Sequence, residues 1–215
     1  MWKRNLVTSL LMTIATTVLL GLLYPLVFTA LAQVLFPRQA NGQLIQKEGK
    51  IVGSRIIGQG FSGPAYFHSR PSAAGNGYDA ANSAGSNLGP TNQKLINRVK
   101  ADVARAQADN SSQPVPIDIV TTSASGFDPH ITPAAAEFQI SRVAKARQIP
   151  PDNVRAMVAK HSEGRQLGFL GEPRVNVLEL NLELDERYPC ASGINNGKYA
   201  QQAEPRSCHG SSVAY

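Results

Sequence analysis

The sequence predicts an α+β protein in which a single N-terminal transmembrane helix is followed by one extracytoplasmic α+β domain. Residues 6–36 form an uncharged apolar run, and the rest of the chain alternates β-branched runs with helical apolar spacing. A length of 215 residues is enough for one domain plus an anchor. We therefore divide the chain into a cytoplasmic N-terminus (1–5), the transmembrane helix (6–36), the extracytoplasmic domain (37–186) and a polar tail (187–215).

The apolar run reads LVTSLLMTIATTVLLGLLYPLVFTALAQVLF and has 31 residues, whereas about 20 apolar residues cross the hydrocarbon core of a bilayer. Lys3 and Arg4 precede it, which favours a cytoplasmic N-terminus; Arg38 and Lys47 weaken this preference without reversing it. A cleaved signal peptide is the alternative, because residues 30–32 (ALA) are typical of a cleavage site. The apolar part of a signal peptide spans only about 7–15 residues, so we favour an uncleaved anchor.

The first half of the extracytoplasmic domain combines a strand, a long loop and a helix. After a polar connector at 37–49, the residues KIVGSRIIG predict a strand. Residues 59–92 are rich in Gly, Ala, Ser, Asn and Pro but also carry aromatic side chains, which a flexible linker does not need. We therefore predict a long ordered loop that packs or binds. Apolar spacing at 93–108 predicts a helix capped by Thr91 or Asn92.

The second half of the domain is mainly helical by its pattern. Residues 115–125 (VPIDIVTTSAS) predict a strand, placed at an edge because of its prolines. The Thr-Pro pair at 132–133 opens a predicted helix that runs to about residue 148, and a shorter helix is predicted at 152–161. Residues 175–184 (VNVLELNLEL) alternate as a strand does, yet their Asn and first Glu have the spacing of a capping box. Both interpretations stay open, with a slight preference for helix.

Three glycines form a G-x-G-x-x-G pattern at Gly58, Gly60 and Gly63, and an acidic residue, Asp79, follows near the distance expected of a dinucleotide-binding unit. That fingerprint needs a helix that starts at the glycines and holds the pyrophosphate at its N-terminus. The two prolines at positions 64 and 71 leave no room for such a helix. We interpret the glycines as turn residues between aromatic contacts.

Charge and motif content argue against several other function classes. Beyond the two basic residues before the span, the chain has 19 Lys+Arg against 15 Asp+Glu, without the dense basic stretch that would indicate nucleic-acid binding. The four histidines lack metal-ligand spacing, and no G-x-S-x-G nucleophile motif occurs. Cys190 and Cys208 form an even pair in an oxidising compartment, which predicts a disulfide; two unpaired thiols are the alternative.

The long loop is the candidate docking surface, because aromatic and arginine side chains dominate the energetics of interfaces. Its far end, SNLGPTN, is expected to be held by turn and cap geometry. The alternative is that Phe61 and Phe67 belong to the core of the domain itself. The candidate docking residues are Phe61, Tyr66, Phe67, Arg70, Asn87 and Asn92.

Five stretches of the chain resemble the C subunit of the Kdp potassium-transporting ATPase family. They are, in order, LLYPLVFTALAQVLFPRQANGQLI, GSRIIGQGFSGPAYFHSRPSAAG, GSNLGPTN, TTSASGFDPHITPAAAEFQISRVAKAR and GEPRVNVLELNL. The resemblance runs from about Leu22 to Leu184 and excludes the tail with both cysteines. The family pattern at the opening of the loop generally reads G-Q-x-F, so the second glycine there is incidental.

The resemblance implies a membrane complex in which a channel-like subunit selects potassium and a P-type subunit hydrolyses ATP. This chain is then expected to be a single-pass, non-catalytic accessory subunit of the cell inner membrane, needed for assembly and activity. The proposed family role, a catalytic chaperone that raises the ATP affinity of the hydrolysing subunit, implies ATP as a possible cofactor. The predicted topology, however, keeps the domain away from cytoplasmic ATP, and the D-K-T-G phosphorylation motif is missing. The competing hypothesis is an independent membrane-tethered enzyme or ligand-binding module.

Overall fold

The computed structural model of the chain describes residues 1–47 and 49–189. They fall into two compact units, with the boundary in the chain between Leu44 and Ile45. Cys190 and Cys208, and most of the predicted polar tail, lie outside the described residues. The disulfide therefore stays a prediction.

The first unit is built on one long helix made of three consecutive segments. These are α1 (Trp2–Thr16), a π-helical segment (Thr17–Leu23) and α2 (Tyr24–Leu35). Together they span 34 residues, are apolar enough to cross a membrane, and contain no buried residue. At about 1.5 Å per residue this helix is longer than the roughly 30 Å hydrocarbon core. It begins at Trp2, four residues before the predicted start.

Pro25 is accommodated by the π-helical segment that precedes it. Proline has no backbone N–H, so it cannot continue the ordinary helical hydrogen-bond ladder. Just before it, the N–H of Tyr24 donates to the carbonyl of Leu19, five residues back, as in a π-helix. The hydroxyl of Thr16 donates to the carbonyl of Met12 at 2.7 Å, so this hydroxyl is satisfied by the helix's own backbone.

The chain continues through one short helix into the mixed second unit. The remaining elements are α3 (Pro37–Ala40), β1 (Leu44–Lys47), β2 (Lys50–Ser54), α4 (Gln93–Asp109), α5 (Ile117–Val120), β3 (His130–Ile131), α6 (Pro133–Arg147), α7 (Pro151–Lys160), β4 (Ser162–Glu163), β5 (Arg174–Asn176) and α8 (Val177–Arg187). Strands β1 and β2 form one sheet, and a second antiparallel sheet has the order β3-β5-β4. Ile131 pairs with Val175 in that second sheet. This architecture confirms the predicted α+β class with one N-terminal apolar helix.

The core lies between α6, α7, α8 and the three-stranded sheet. Its fully buried members include Ile140, Val143, Val154, Leu180 and Leu184. The apolar faces of α6, α7 and α8 pack against one another and bury these side chains. Burial of each side chain stabilises the fold by roughly 1.5–3 kcal/mol.

Local signals set the helix ends. The hydroxyl of Thr132 accepts from the N–H of Ala135 at 3.1 Å, which caps α6 as predicted. The side chain of Asn176 accepts from the N–H of Glu179 at 3.1 Å and caps α8. The stretch left open between strand and helix is therefore a three-residue strand that ends at Asn176, followed by a helix.

The predicted edge strand at 115–125 is wrong. Its centre is the one-turn helix α5. The Asp118 carboxylate there accepts from the backbone N–H of Thr132 at 2.7 Å and from its hydroxyl at 3.2 Å. This contact holds a buried acidic residue against the start of α6, so tertiary context overrides the strand preference of the branched residues.

Candidate functional site

Residues 59–92, the candidate docking loop, contain no helix or strand but are fixed by side-chain hydrogen bonds. The hydroxyl of Ser72 donates to the carbonyl of Gly126 at 2.8 Å and accepts from the N–H of Tyr78 at 2.9 Å. The hydroxyl of Ser69 donates to the carbonyl of Gln59 at 3.1 Å. These bonds replace the backbone ladder that a helix or strand would supply.

Phe67 is a core residue. Its side chain is fully buried among the apolar residues of the helices, and Phe61 packs partly buried against the same cluster. The side chain of Asn181 on α8 accepts from the Phe67 N–H and donates to its carbonyl, both at 2.9 Å. Both phenylalanines therefore belong to the domain's own core or pack against it, as the alternative interpretation predicted.

Tyr66 joins the loop to the end of α6. The guanidinium carbon of Arg147 is 4.9 Å from the centroid of the Tyr66 ring, within cation–π range. The Tyr66 hydroxyl donates to the Asp185 carboxylate at 3.3 Å, and the Phe61 ring lies 5.9 Å away between centroids. Tyr66 is half-buried, and both its ring and its hydroxyl make contacts inside the domain.

Arg70 joins the loop to the segment before α6. Its guanidinium forms an ion pair of 3.0 Å with Asp128 and donates to the carbonyls of Thr121 and Thr122 at 3.4 Å. Burial raises the pKa of Asp128, but hydrogen bonds from His130 and Arg70 outweigh it, and this pKa lies below its ordinary value. The carboxylate therefore stabilises the fold at neutral pH, and that stabilisation is lost as the pH falls through the lowered pKa.

The two asparagines at the far end of the loop have structural roles. Asn87 is exposed and has a φ of 49°, a left-handed conformation that asparagine tolerates better than most residues. The side chain of Asn92 accepts from the N–H of Lys94 at 2.9 Å, so Asn92, rather than Thr91, caps α4. The structure thus brings most of the six candidate residues into internal contacts, and a docking role for them stays a prediction.

We expect Arg70→Ala to lower the melting temperature of the detergent-solubilised chain by a few degrees. The side chains of this ion pair with Asp128 are 26% and 30% exposed; the pair contributes about 1 kcal/mol, and the alanine removes its cation. The matched control is Arg105→Ala, because the Arg105 side chain is 75% exposed. An unchanged melting temperature together with poor recovery of a multi-subunit complex would instead establish Arg70 as a docking residue.

A cavity of mixed polar and apolar lining, which the sequence did not reveal, lies between this loop, α4 and α6. It has a volume of about 290 Å³, and its walls include Phe61, Arg70, Tyr78, Phe138 and Arg142. The Arg142 guanidinium donates to the carbonyls of Gly63 at 3.2 Å and Pro64 at 2.9 Å. The Arg142 side chain thus holds this part of the loop in place.

Two titratable groups of this cavity are held neutral. Burial, together with the neighbouring Arg142 guanidinium, lowers the pKa of His68, whose Nε2–H donates to the Gly63 carbonyl at 2.8 Å. Burial raises the pKa of Tyr78 to about 12. The lowered pKa therefore keeps the His68 ring unprotonated near pH 7, and the raised pKa keeps the Tyr78 hydroxyl protonated, so Tyr78 is not activated as a nucleophile. Among residues 1–47 and 49–189, no three His, Cys, Asp or Glu side chains converge as a metal site would require.

The glycine pattern serves packing. The Gly58 N–H donates to the carbonyl of Phe127 at 2.8 Å, and a Cβ at Gly58 would lie 2.5 Å from the Asp128 carbonyl oxygen. Gly63 has a φ of 94°, which favours glycine. No helix begins at these glycines; the next described helix starts at Gln93. The dinucleotide fingerprint is thus incomplete here, in line with the sequence interpretation.

Comparison with known proteins decides the family. The family model KdpC, described as "K+-transporting ATPase, c chain", matches residues 6–186. The chain belongs to the KdpC family. It is 66% identical over 187 residues to the potassium-transporting ATPase KdpC subunit of Koribacter versatilis, covering 87% of this chain and 97% of that protein. It is 57% identical over 184 residues to the subunit of the same name from Acidobacterium capsulatum, covering 86% and 99%.

The KdpC match confirms the resemblance noted in the sequence and includes the apolar helix from residue 6 onward, the loop and every described strand. It ends at residue 186, so the two cysteines of the tail fall outside it. This agrees with the departure from the family ending after Asp185.

Proposed function

We propose that this chain is the accessory, non-catalytic subunit of an ATP-driven potassium importer, needed for the assembly and stability of the transport complex. The observation that carries the proposal is the KdpC family match over residues 6–186, which spans the apolar helix and the mixed domain together. The internal partners of the domain's polar side chains support the proposal that the subunit is non-catalytic. His68, Asp128 and Arg142 all hold backbone or ion-pair partners within the domain.

The partners under this proposal are a channel-like subunit that selects potassium and a P-type subunit that hydrolyses ATP. The long helix supports a contact within the membrane, because it is apolar enough to cross one and has no buried residue among those that the structure describes. Its apolar surface is therefore available to lipid and to partner helices. The basic residues Lys3 and Arg4 support a cytoplasmic N-terminus in the inner membrane, with residues 37–186 outside the cytoplasm.

Any influence on the ATP affinity of the hydrolysing subunit is, in this proposal, indirect. The orientation keeps the domain from cytoplasmic ATP, and the loop with the glycine pattern lacks the helix that would hold a pyrophosphate. A subunit that binds one conformation of its partner more tightly shifts the partner's equilibrium without touching the nucleotide. Chaperone-like action then follows from differential binding at the membrane and outer face.

The proposal is tested with an affinity-tagged chain expressed from its native locus. We expect the tagged chain to purify from detergent extracts with two large multi-span proteins and with potassium-stimulated ATPase activity. Protease added to intact spheroplasts should remove the domain while a tag before Lys3 stays protected. A chain that purifies alone would favour the independent tethered module, and a domain that survives until the membrane is permeabilised would reverse the orientation.

A further inference from the structure

The hairpin between β4 and β5 presents an apolar surface that the core does not use. We call residues 166–171 the hairpin tip. Gln166 and Leu170 pair across it, with N–H to carbonyl distances of 2.8 and 2.9 Å. Leu167, Phe169 and Leu170 are 83%, 70% and 48% exposed. Three adjacent large apolar side chains at the end of a projecting turn are typical of a binding site, whereas single exposed apolar residues are ordinary.

The backbone of the hairpin tip is strained at its most exposed residue. Leu167 has a φ of 52°, in the left-handed region, where a leucine side chain is disfavoured and glycine or asparagine would fit without strain. The following residue, Gly168, has a φ of 83° and tolerates this conformation. A strained leucine that is 83% exposed among the described residues contributes little to the core of its domain. Strain of this kind is typical of functional positions.

The charges around the hairpin tip are paired with one another. Arg165 and Glu172 form an ion pair of 3.2 Å at its base, and Arg174 pairs with Glu163 at 2.9 Å. Arg55 pairs with Glu163 in the same cluster and also with Glu179 at 3.0 Å, so three arginines face three glutamates. The tip is therefore electrically neutral as presented, whereas loops that bind anionic membrane surfaces carry unpaired Lys and Arg. A partner surface that complements the hairpin tip is therefore apolar and carries no net charge.

We propose that the hairpin tip inserts into an uncharged apolar cleft on the extracytoplasmic surface of a partner subunit of the potassium-transporting complex. This inference rests on the proposed function. Leu167 and Phe169 are the anchor side chains, and the three-residue patch is too small to form a stable interface alone, so it acts as one energetic centre within a larger contact. The hairpin tip is distinct from the loop at 59–92, whose large side chains are used inside the domain.

The first experiment measures binding of the purified full-length chain, in detergent, to a complex of the other subunits purified without it. We expect Leu167→Ser combined with Phe169→Ser to raise the apparent Kd at least tenfold while the melting temperature stays unchanged. The matched control is Ile117→Ser, because Ile117 is 73% exposed but belongs to α5 and not to the hairpin. Binding of the double variant as tight as that of the unsubstituted chain would overturn the inference.

The second experiment distinguishes a partner subunit from lipid or a second copy. Phe169→Trp in a Trp2→Phe background places the only tryptophan at the hairpin tip. In phosphatidylcholine vesicles we expect its emission to stay that of exposed tryptophan until the other subunits are added, and then to shift to the blue. Quenching by brominated phosphatidylcholine before that addition would assign the tip to the membrane, and a blue shift that depends on the concentration of this chain alone would assign it to a second copy. Failure of the unsubstituted chain to bind the other subunits would refute the proposed function itself, whereas equal binding of variant and unsubstituted chain refutes only the role of the hairpin tip.

Discussion

Arg147→Met is expected to lower the free energy of unfolding by about 3 kcal/mol and the melting temperature by about 10 °C. The methionine keeps most of the volume of the side chain but removes every polar contact. The loss is measured by calorimetry of the full chain in detergent.

The expected size follows from how completely Arg147 is used. Its side chain is only 1% exposed. It donates to the carbonyl of Ala65 at 2.7 Å, to the carbonyl of Tyr188 at 2.8 Å and to the Asp185 carboxylate at 2.8 Å. It also lies over the Tyr66 ring. Removal of the guanidinium leaves the buried carbonyls of Ala65 and Tyr188 without this donor and takes the cation away from the Asp185 carboxylate, which costs far more than an exposed ion pair contributes.

Arg155→Met is the matched control. Arg155 lies on α7 and pairs with Glu137 at 2.8 Å and Asp152 at 2.6 Å, but its side chain is 51% exposed. Solvent screens these charges, so we expect no measurable change in melting temperature. Equal losses for the two variants would show that burial of Arg147 does not determine its contribution.

Asn181→Leu is expected to lower the free energy of unfolding by about 3 kcal/mol, because it leaves a buried N–H and a buried carbonyl of Phe67 unsatisfied. Leucine resembles asparagine in size, so the loss reports the hydrogen bonds more than a cavity. We also expect this substitution to speed hydrogen exchange in the loop at 59–92 more than in α7, because Asn181 bonds that loop to the core.

Asn97→Leu is the control for the second variant. Asn97 is exposed on α4, and its side chain accepts from the side chain of Gln93 at 2.8 Å. Its replacement should leave both the melting temperature and exchange of the loop unchanged. If exchange in the loop is the same in Asn181→Leu as in the unsubstituted chain, the loop is held by its other contacts, and Asn181 acts on the helix alone.

The sequence by itself determined the features that depend on neighbouring residues. The uncharged run at 6–36 predicted the long apolar helix, and cap residues such as Thr132 and Asn92 marked helix starts, because a cap bonds an N–H two or three residues away. The prolines after Gly63 correctly argued against a nucleotide-binding helix. The ordered set of family motifs predicted the KdpC family, which the comparison confirmed.

Only the tertiary structure decided which side chains serve the core and which remain available. Phe67 and Asn181 are 114 residues apart, and Arg70 and Asp128 are 58 apart, so no local pattern joins them. The branched residues around Asp118 predicted a strand, but the contact with Thr132 fixed a helical turn. Leu167 and Phe67 are both large apolar residues in glycine-rich segments, yet one is exposed and the other fully buried. Local hydrogen bonds and apolar spacing fix an element, whereas burial depends on which distant surfaces pack against it.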